Sequence, residues 1–154
     1  MIRYKTGLIS FLLLAITFSI LVKAAEATTM NFTVHNGEEI SKSLSLAVED
    51  HVLIRFTVVG GSENSIHFYM TYPNGTEKNF GDVGDFNFNF VCNAEGEYAL
   101  HFSNAGSSAD KSVTLDYEIE HYILGIPQML FLALIIVIVC VVAVAIFIFM
   151  GKPH

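Results

Sequence analysis

Residues Glu95 to Ile119 read EGEYALHFSNAGSSADKSVTLDYEI, and their periodicity commits the chain to β-structure. Tyr98, Leu100 and Phe102 alternate with Ala99, His101 and Ser103. After a break at Ala105-Gly106, Val113, Leu115, Tyr117 and Ile119 alternate with Thr114, Asp116, Glu118 and Glu120. A period of two sends successive side chains to opposite faces of an extended chain, so each run reads as a half-buried strand with its apolar residues turned inward. Gly96 permits a tight turn into the first strand, and Asn104 and Gly106 suit the positive φ of the loop that follows.

The same alternation recurs upstream at Phe32/Val34, Leu44/Leu46/Val48, Ile66/Phe68/Met70 and Phe86/Phe88/Phe90. His51–Val59 is more uniformly apolar and reads as a central strand. Turn residues separate the runs: Asn36-Gly37, Glu49-Asp50, Gly60-Gly61, Pro73-Asn74-Gly75, Gly81 to Gly84 and Glu95-Gly96. Seven or eight short strands at this spacing predict an all-β, antiparallel β-sandwich of the jelly-roll kind. No amphipathic helical stretch lies between strands, which excludes parallel βαβ units. The alternate Phe86, Phe88 and Phe90 are read as core between two sheets, in preference to an exposed stacking platform for sugars.

Outward from this region the composition changes. Met129–Met150 contains no charge, Asn, Gln, Ser, Thr, Gly or Pro. A bilayer core of roughly 30 Å takes about 20 apolar residues in a helix, and in hydrocarbon only a helix satisfies such a segment's backbone. The run carries no Gly-x-x-x-Gly and no ionisable residue, so it reads as an anchor. At the other end Arg3 and Lys5 precede the apolar Leu8–Val22, and small residues follow. This order is that of a secretory signal peptide, with Val22-x-Ala24 and Ala25-x-Ala27 both offering a cleavage site; the rival reading is an uncleaved anchor. The expected plan is a signal peptide at 1–25, an extracytoplasmic β-sandwich at 26–120, a tether at 121–127, a transmembrane helix at 128–150 and a cytoplasmic tail at 151–154.

The expected sandwich holds all 15 acidic residues against Lys42, Arg55, Lys78 and Lys111, a formal charge of −11. Such a surface repels phosphate backbones, which excludes nucleic-acid binding. Cys92 lies in the sandwich and Cys140 within the span, so no disulfide is expected inside the domain; a buried thiol is favoured over pairing between chains. Asn31-Phe32-Thr33 and Asn74-Gly75-Thr76 are candidate N-glycosylation sequons. No catalytic signature is present. His67 and His101 fall on the polar faces of their strands without further ligands beside them in sequence, and Asp82-Val83-Gly84-Asp85 lacks the ligand count of an EF-hand loop. No cofactor, metal or catalytic residue is assigned.

Residues Gly96, Tyr98, Phe102, Ser103, Asn104 and Lys111 carry a resemblance. A Gly-x-Tyr opening, a Phe-Ser-Asn strand end, the serine-bearing loop at Ser107 and Ser108 and a Lys-led strand at Lys111 and Val113 resemble the end of the GOLD (Golgi dynamics) domain. Tyr72-Pro73-Asn74-Gly75 is similar to that family's hairpin. The family comprises small type I cargo receptors of the early secretory pathway. It differs in having a domain disulfide, where His101 stands here, and a coiled coil before the membrane. The resemblance implies a non-enzymatic, single-pass type I protein that binds protein partners in membrane trafficking or sorting. It implies an endomembrane such as the ER or Golgi in a eukaryote, and a cell membrane with an external domain in a prokaryote. The alternative is a small structural or accessory subunit of a membrane or envelope complex. The short tether places any protein partner, or a second copy, close to the bilayer.

Overall fold

The computed structural model describes residues 26–61 and 63–150; the expected signal peptide and tail lie outside them. Eight strands build the domain: β1 (Glu26–Val34), β2 (Glu39–Leu46), β3 (His51–Val59), β4 (Ile66–Thr71), β5 (Glu77–Val83), β6 (Asp85–Val91), β7 (Gly96–Ser103) and β8 (Lys111–Glu120). They form two four-stranded antiparallel sheets. The first has the order β1-β8-β3-β6 and the second β2-β7-β4-β5. The chain is thus an antiparallel β-sandwich, as its alternation requires.

The two strands of the 95–119 stretch belong to opposite sheets. β7 is held between β2 and β4, and β8 between β1 and β3. Their inward residues Tyr98, Leu100, Phe102, Val113 and Leu115 are each wholly buried. Phenylalanine joins the layers. Phe56 of β3 meets Phe68 of β4 edge-on at 4.8 Å and Phe102 of β7 at 5.2 Å. Each such side chain removed from water contributes about 1.5–3 kcal/mol, the dominant favourable term for a domain without a disulfide.

His51–Val59 is a central strand, paired on both sides with β8 and β6. Val48, grouped in sequence with Leu44 and Leu46, lies beyond the end of β2 and is exposed. β5 runs through the segment where the glycines at 81 and 84 announce a turn. Gly81 sits inside the strand at φ +77, beside a register shift in its pairing with β4 that leaves Phe80 without an opposite residue. This is a bulge, and the turn is confined to Gly84. The Pro73-Asn74-Gly75 turn closes β4 onto β5 through Gly75 N–H donating to Tyr72 O at 2.9 Å.

The C-terminal segment, taken by itself, begins with the two-residue strands β9 (Tyr122–Ile123) and β10 (Ile126–Pro127), which pair as a hairpin. Its turn residues Leu124 and Gly125 both have positive φ, as a tight two-residue hairpin demands. Helix α1 (Gln128–Met150) follows, and Gln128–Ile146 is long and apolar enough to cross a membrane.

Candidate functional site

Of the residues singled out at 96–111, Asn104 and Lys111 form a clasp at one end of the sandwich. Asn104 is 3% exposed, and its side-chain amide donates to Val34 O at 3.1 Å and to Ala109 O at 2.9 Å. Its backbone receives Gly37 N–H and donates to Glu38 O. One asparagine therefore ties the β1–β2 turn to the β7–β8 loop. Lys111, 2% exposed, donates from Nζ to Gly60 O at 2.8 Å and to Glu63 O, which holds the β3–β4 loop. Tyr98 and Phe102 are core, and the Tyr98 hydroxyl donates to Ala94 O at 3.0 Å; burial pushes its phenol up to about 12. Gly96 has φ +145 and lies against Pro73. Ser103, at the exit of β7, lines a polar hollow of about 260 Å³ together with Ser65, His67, Asp82, Ser107 and Lys111. Five of these six positions thus shape the fold, and Ser103, Asn104 and Lys111 line the hollow.

The functional candidate is the outer face of the second sheet. Register sets His101 of β7 opposite Tyr69 of β4 on one side and Ser41 of β2 on the other. The Tyr69 and His101 rings stack in parallel at 4.4 Å. Tyr69 donates its hydroxyl to Glu39 Oε1 at 2.7 Å, His101 Nδ1 lies 3.2 Å from the same oxygen, and His101 Nε2 lies 3.2 Å from Thr71 Oγ1. Desolvation, and then the Glu39 carboxylate, push the Tyr69 phenol up to about 12, so it remains a donor throughout the physiological range. His67 continues the patch, with Nδ1 3.2 Å from Asp82 and Nε2 3.2 Å from Asn79. Ser41, Ser43 and Ser45 extend it as exposed hydroxyls along β2. The result is a flat, fixed array of donors and acceptors with an aromatic ring at its centre. Such a surface suits recognition of another polar surface.

His67 and His101 therefore share a face with Tyr69 between them. Among the described residues no group of three or more His, Cys, Asp or Glu side chains is placed to hold a metal ion. Asp82 is engaged with His67 at the border of the hollow. The part of the site that the sequence did not disclose is Glu39 with Tyr69 and Thr71. Period two assigns Tyr69 and Thr71 to an outer face, but only the β2–β7–β4 register brings Glu39 to them.

Phe86, Phe88 and Phe90 pack against the core while each remaining half-buried. Cys92 is 2% exposed, and burial raises its thiol pKa, so it is set for packing rather than for pairing between chains. The sequon residues Asn31 and Asn74 are both exposed, Asn31 on β1 and Asn74 in the β4–β5 turn, where its side-chain oxygen receives Thr76 N–H at 3.0 Å.

No match is found among curated proteins. Among solved structures, the chain is similar to a periplasmic inhibitor of g-type lysozyme from Aeromonas hydrophila, with 16% identity, 65% of this chain and 91% of that chain covered, and a TM-score of 0.48. It is also similar to the Salmonella Typhimurium inhibitor, with 14% identity, 63% and 92% covered and a TM-score of 0.41. Similarity to a CBM36-1 domain of a multidomain xylanase from the hindgut metagenome of Trinervitermes trinervoides is lower, with 11% identity, 63% and 88% covered and a TM-score of 0.36. Likenesses at this level carry no argument about function. The family model for emp24/gp25L/p24 family/GOLD, by contrast, matches residues 29–129, from β1 through all eight strands of the sandwich to the first turn of α1. The chain belongs to the emp24/gp25L/p24 (GOLD) family.

Proposed function

We propose that the chain is a single-pass type I membrane protein whose extracytoplasmic GOLD domain binds other proteins during membrane trafficking or sorting and catalyses no reaction. The observation that carries this reading is the family match over the whole sandwich, followed directly by an apolar helix of membrane-spanning length. Export by a signal peptide at 1–25 would place the domain outside the cytoplasm, which the exposed sequons Asn31 and Asn74 suit. The compartment is an endomembrane such as the ER or Golgi in a eukaryotic cell, and the cell membrane with an external domain in a prokaryotic one.

The outer face of the second sheet is the proposed contact surface. Tyr69 offers a ring already ordered by His101 and Glu39, so little side-chain freedom is lost when a partner covers it. A tagged full-length chain purified in mild detergent should retain protein partners, and Tyr69→Ala should reduce their recovery about tenfold or more while leaving the melting transition of the domain in place. Undiminished recovery by the variant would remove this face from the account. One partner held at fixed stoichiometry across conditions would instead favour an accessory subunit of a complex.

A further inference from the structure

The chain carries no charged residue from Tyr122 to Gly151, so its uncharged stretch begins at the β9–β10 hairpin and not at helix α1. The helix has no need of the extra length. Its 23 residues rise roughly 34 Å at about 1.5 Å each, against a hydrocarbon core of about 30 Å. The hairpin is left at the entrance of the helix, with no residue between Pro127 and Gln128. At its tip Leu124 is 82% exposed and holds φ +54. A bulky side chain in the left-handed region crowds its own backbone, and Asn or Gly is the usual residue at this place in a two-residue turn. Leu124 thus bears the strain of the turn and meets little protein that could offset it. Two residues per strand are also too few for a hairpin to stand alone in water. The groups just upstream are engaged with the sandwich: His121 Nδ1 lies 2.8 Å from Asp50 Oδ1, and the Tyr122 ring stacks on His51 at 3.9 Å.

We propose that the β9–β10 hairpin lies in the headgroup layer of the leaflet that α1 enters, with Leu124 inserted among the upper acyl chains of neutral phospholipid. This rests on the reading of α1 as a membrane span and adds a second membrane contact to it. Reach allows the contact. An extended chain covers at most about 3.6 Å per residue, so Leu124 stays within roughly 14 Å of Gln128. Interfacial elements bury their apolar side about 5–10 Å into the boundary between headgroups and acyl chains. The backbone fits the place as well. Water is scarce there, and amides paired with each other, as in β9 and β10, enter at lower cost than unpaired ones. Lipid is favoured over a protein partner because the helix already holds the tip beside the bilayer, where lipid is always present. Apolar insertion is favoured over charge recognition because no Lys or Arg lies between Lys111 and Lys152, while Glu118 and Glu120 stand just upstream and oppose anionic headgroups. Seated in this way, the hairpin sets how deep α1 enters. Trp, Lys and Arg fill that role at the ends of many spans, and none of them lies between Lys111 and this helix.

The chain has no tryptophan, so a single one can serve as a reporter. Full-length Leu124→Trp and Val139→Trp, the second at the middle of α1, are reconstituted separately into phosphatidylcholine vesicles. Quenching is measured with lipids brominated near the top or near the end of the acyl chain, and with aqueous iodide. L124W should emit to the blue of free tryptophan, resist iodide and lose most intensity to the shallow bromines. V139W should lose most to the deep ones. Water-like emission of L124W with iodide quenching, while V139W keeps its deep quenching, would overturn the seating of the hairpin and leave the span intact. Blue emission of L124W that no brominated lipid quenches would mean cover by protein, and would overturn it too, as would strongest quenching of L124W by the deep bromines. If no brominated lipid quenches V139W, the span itself falls and the proposal with it. Tryptophan favours interfaces on its own account, so the native side chain is checked with a photoactivatable leucine analogue at position 124. A phospholipid adduct at that residue is expected; adducts to protein or water alone would contradict the proposal.

Discussion

Lys111 shows what kind of residue holds this domain together. A primary ammonium at 2% exposure would be costly if it faced apolar atoms, yet both of its acceptors are backbone carbonyls, Gly60 O and Glu63 O. Lys111→Met keeps the stem length and removes the donor from those carbonyls, at about 0.5–1.5 kcal/mol for each hydrogen bond lost. The urea midpoint should fall accordingly; an unchanged midpoint would show that the lysine is not holding the loop. The exposed pair His35 and Asp110 makes a smaller, pH-dependent contribution at the same end. His35 Nδ1 lies 2.8 Å from Asp110 Oδ2, and Asp110 Oδ1 receives Asn36 N–H at 3.0 Å. The hydrogen bond to Asp110 raises the histidine above 6.5, and the hydrogen bond to His35, then that to Asn36, lower the carboxyl below 3.8. A raised histidine stabilises fully below its unfolded value and loses this as pH rises through its folded one. A lowered carboxyl stabilises above its unfolded value and loses this as pH falls through its folded one. The gap in urea midpoint between wild type and Asp110→Asn should therefore be widest between about pH 4 and 6.5 and narrow on both sides. A gap that is the same at every pH would contradict the ion pair.

At the scale of elements, the strands that the sequence disclosed are those with one clean apolar face. β4, β7 and β8 alternate because one side is core and the other solvent, and each was legible. β5 was not, because Glu77–Val83 offers only Phe80 and Val83 as apolar residues, and a bulge lies between them that breaks the period. The first half of β1 was missed for a related reason: Thr28 and Thr29 pair with β8 through backbone groups that leave no hydrophobic trace. The interaction face was half legible. Period two puts His67, Tyr69 and His101 on outer faces, but register is set by pairing partners far away in sequence, so Glu39 could not be placed beside Tyr69. The β6–β7 connection depends on Gly96, where a Cβ would stand 2.8 Å from Pro73 Cβ and φ is +145. Gly96→Ala should cost more than about 1 kcal/mol, since it adds strain to a close approach. Equal thermal stability of wild type and variant would rule out that constraint.

For the whole molecule, the sequence reads most plainly at its largest features: an acidic sandwich and an apolar run after it. The family match extends from β1 into the start of α1, so the sandwich and the segment leading to the span belong to one evolutionary unit rather than to a chance fusion. What composition could not supply is the role of the Gly96-to-Lys111 signature. Tyr98 and Phe102 fill the core, while Asn104 and Lys111 tie the β1–β2, β3–β4 and β7–β8 connections. Ser103 stands on the outer face of the second sheet, opposite Glu39 on β2 and His67 on β4. The account as a whole rests on the sandwich and the tail end of α1 lying on opposite sides of one membrane. Protease protection of sealed vesicles carrying the full-length chain, with one tag inserted in the exposed β4–β5 turn and another at the C-terminus, tests this most directly. In vesicles that keep the lumen inside, added protease should remove the C-terminal tag and spare the turn tag until detergent is added; loss of the turn tag in intact vesicles, with the C-terminal tag protected, would contradict the account.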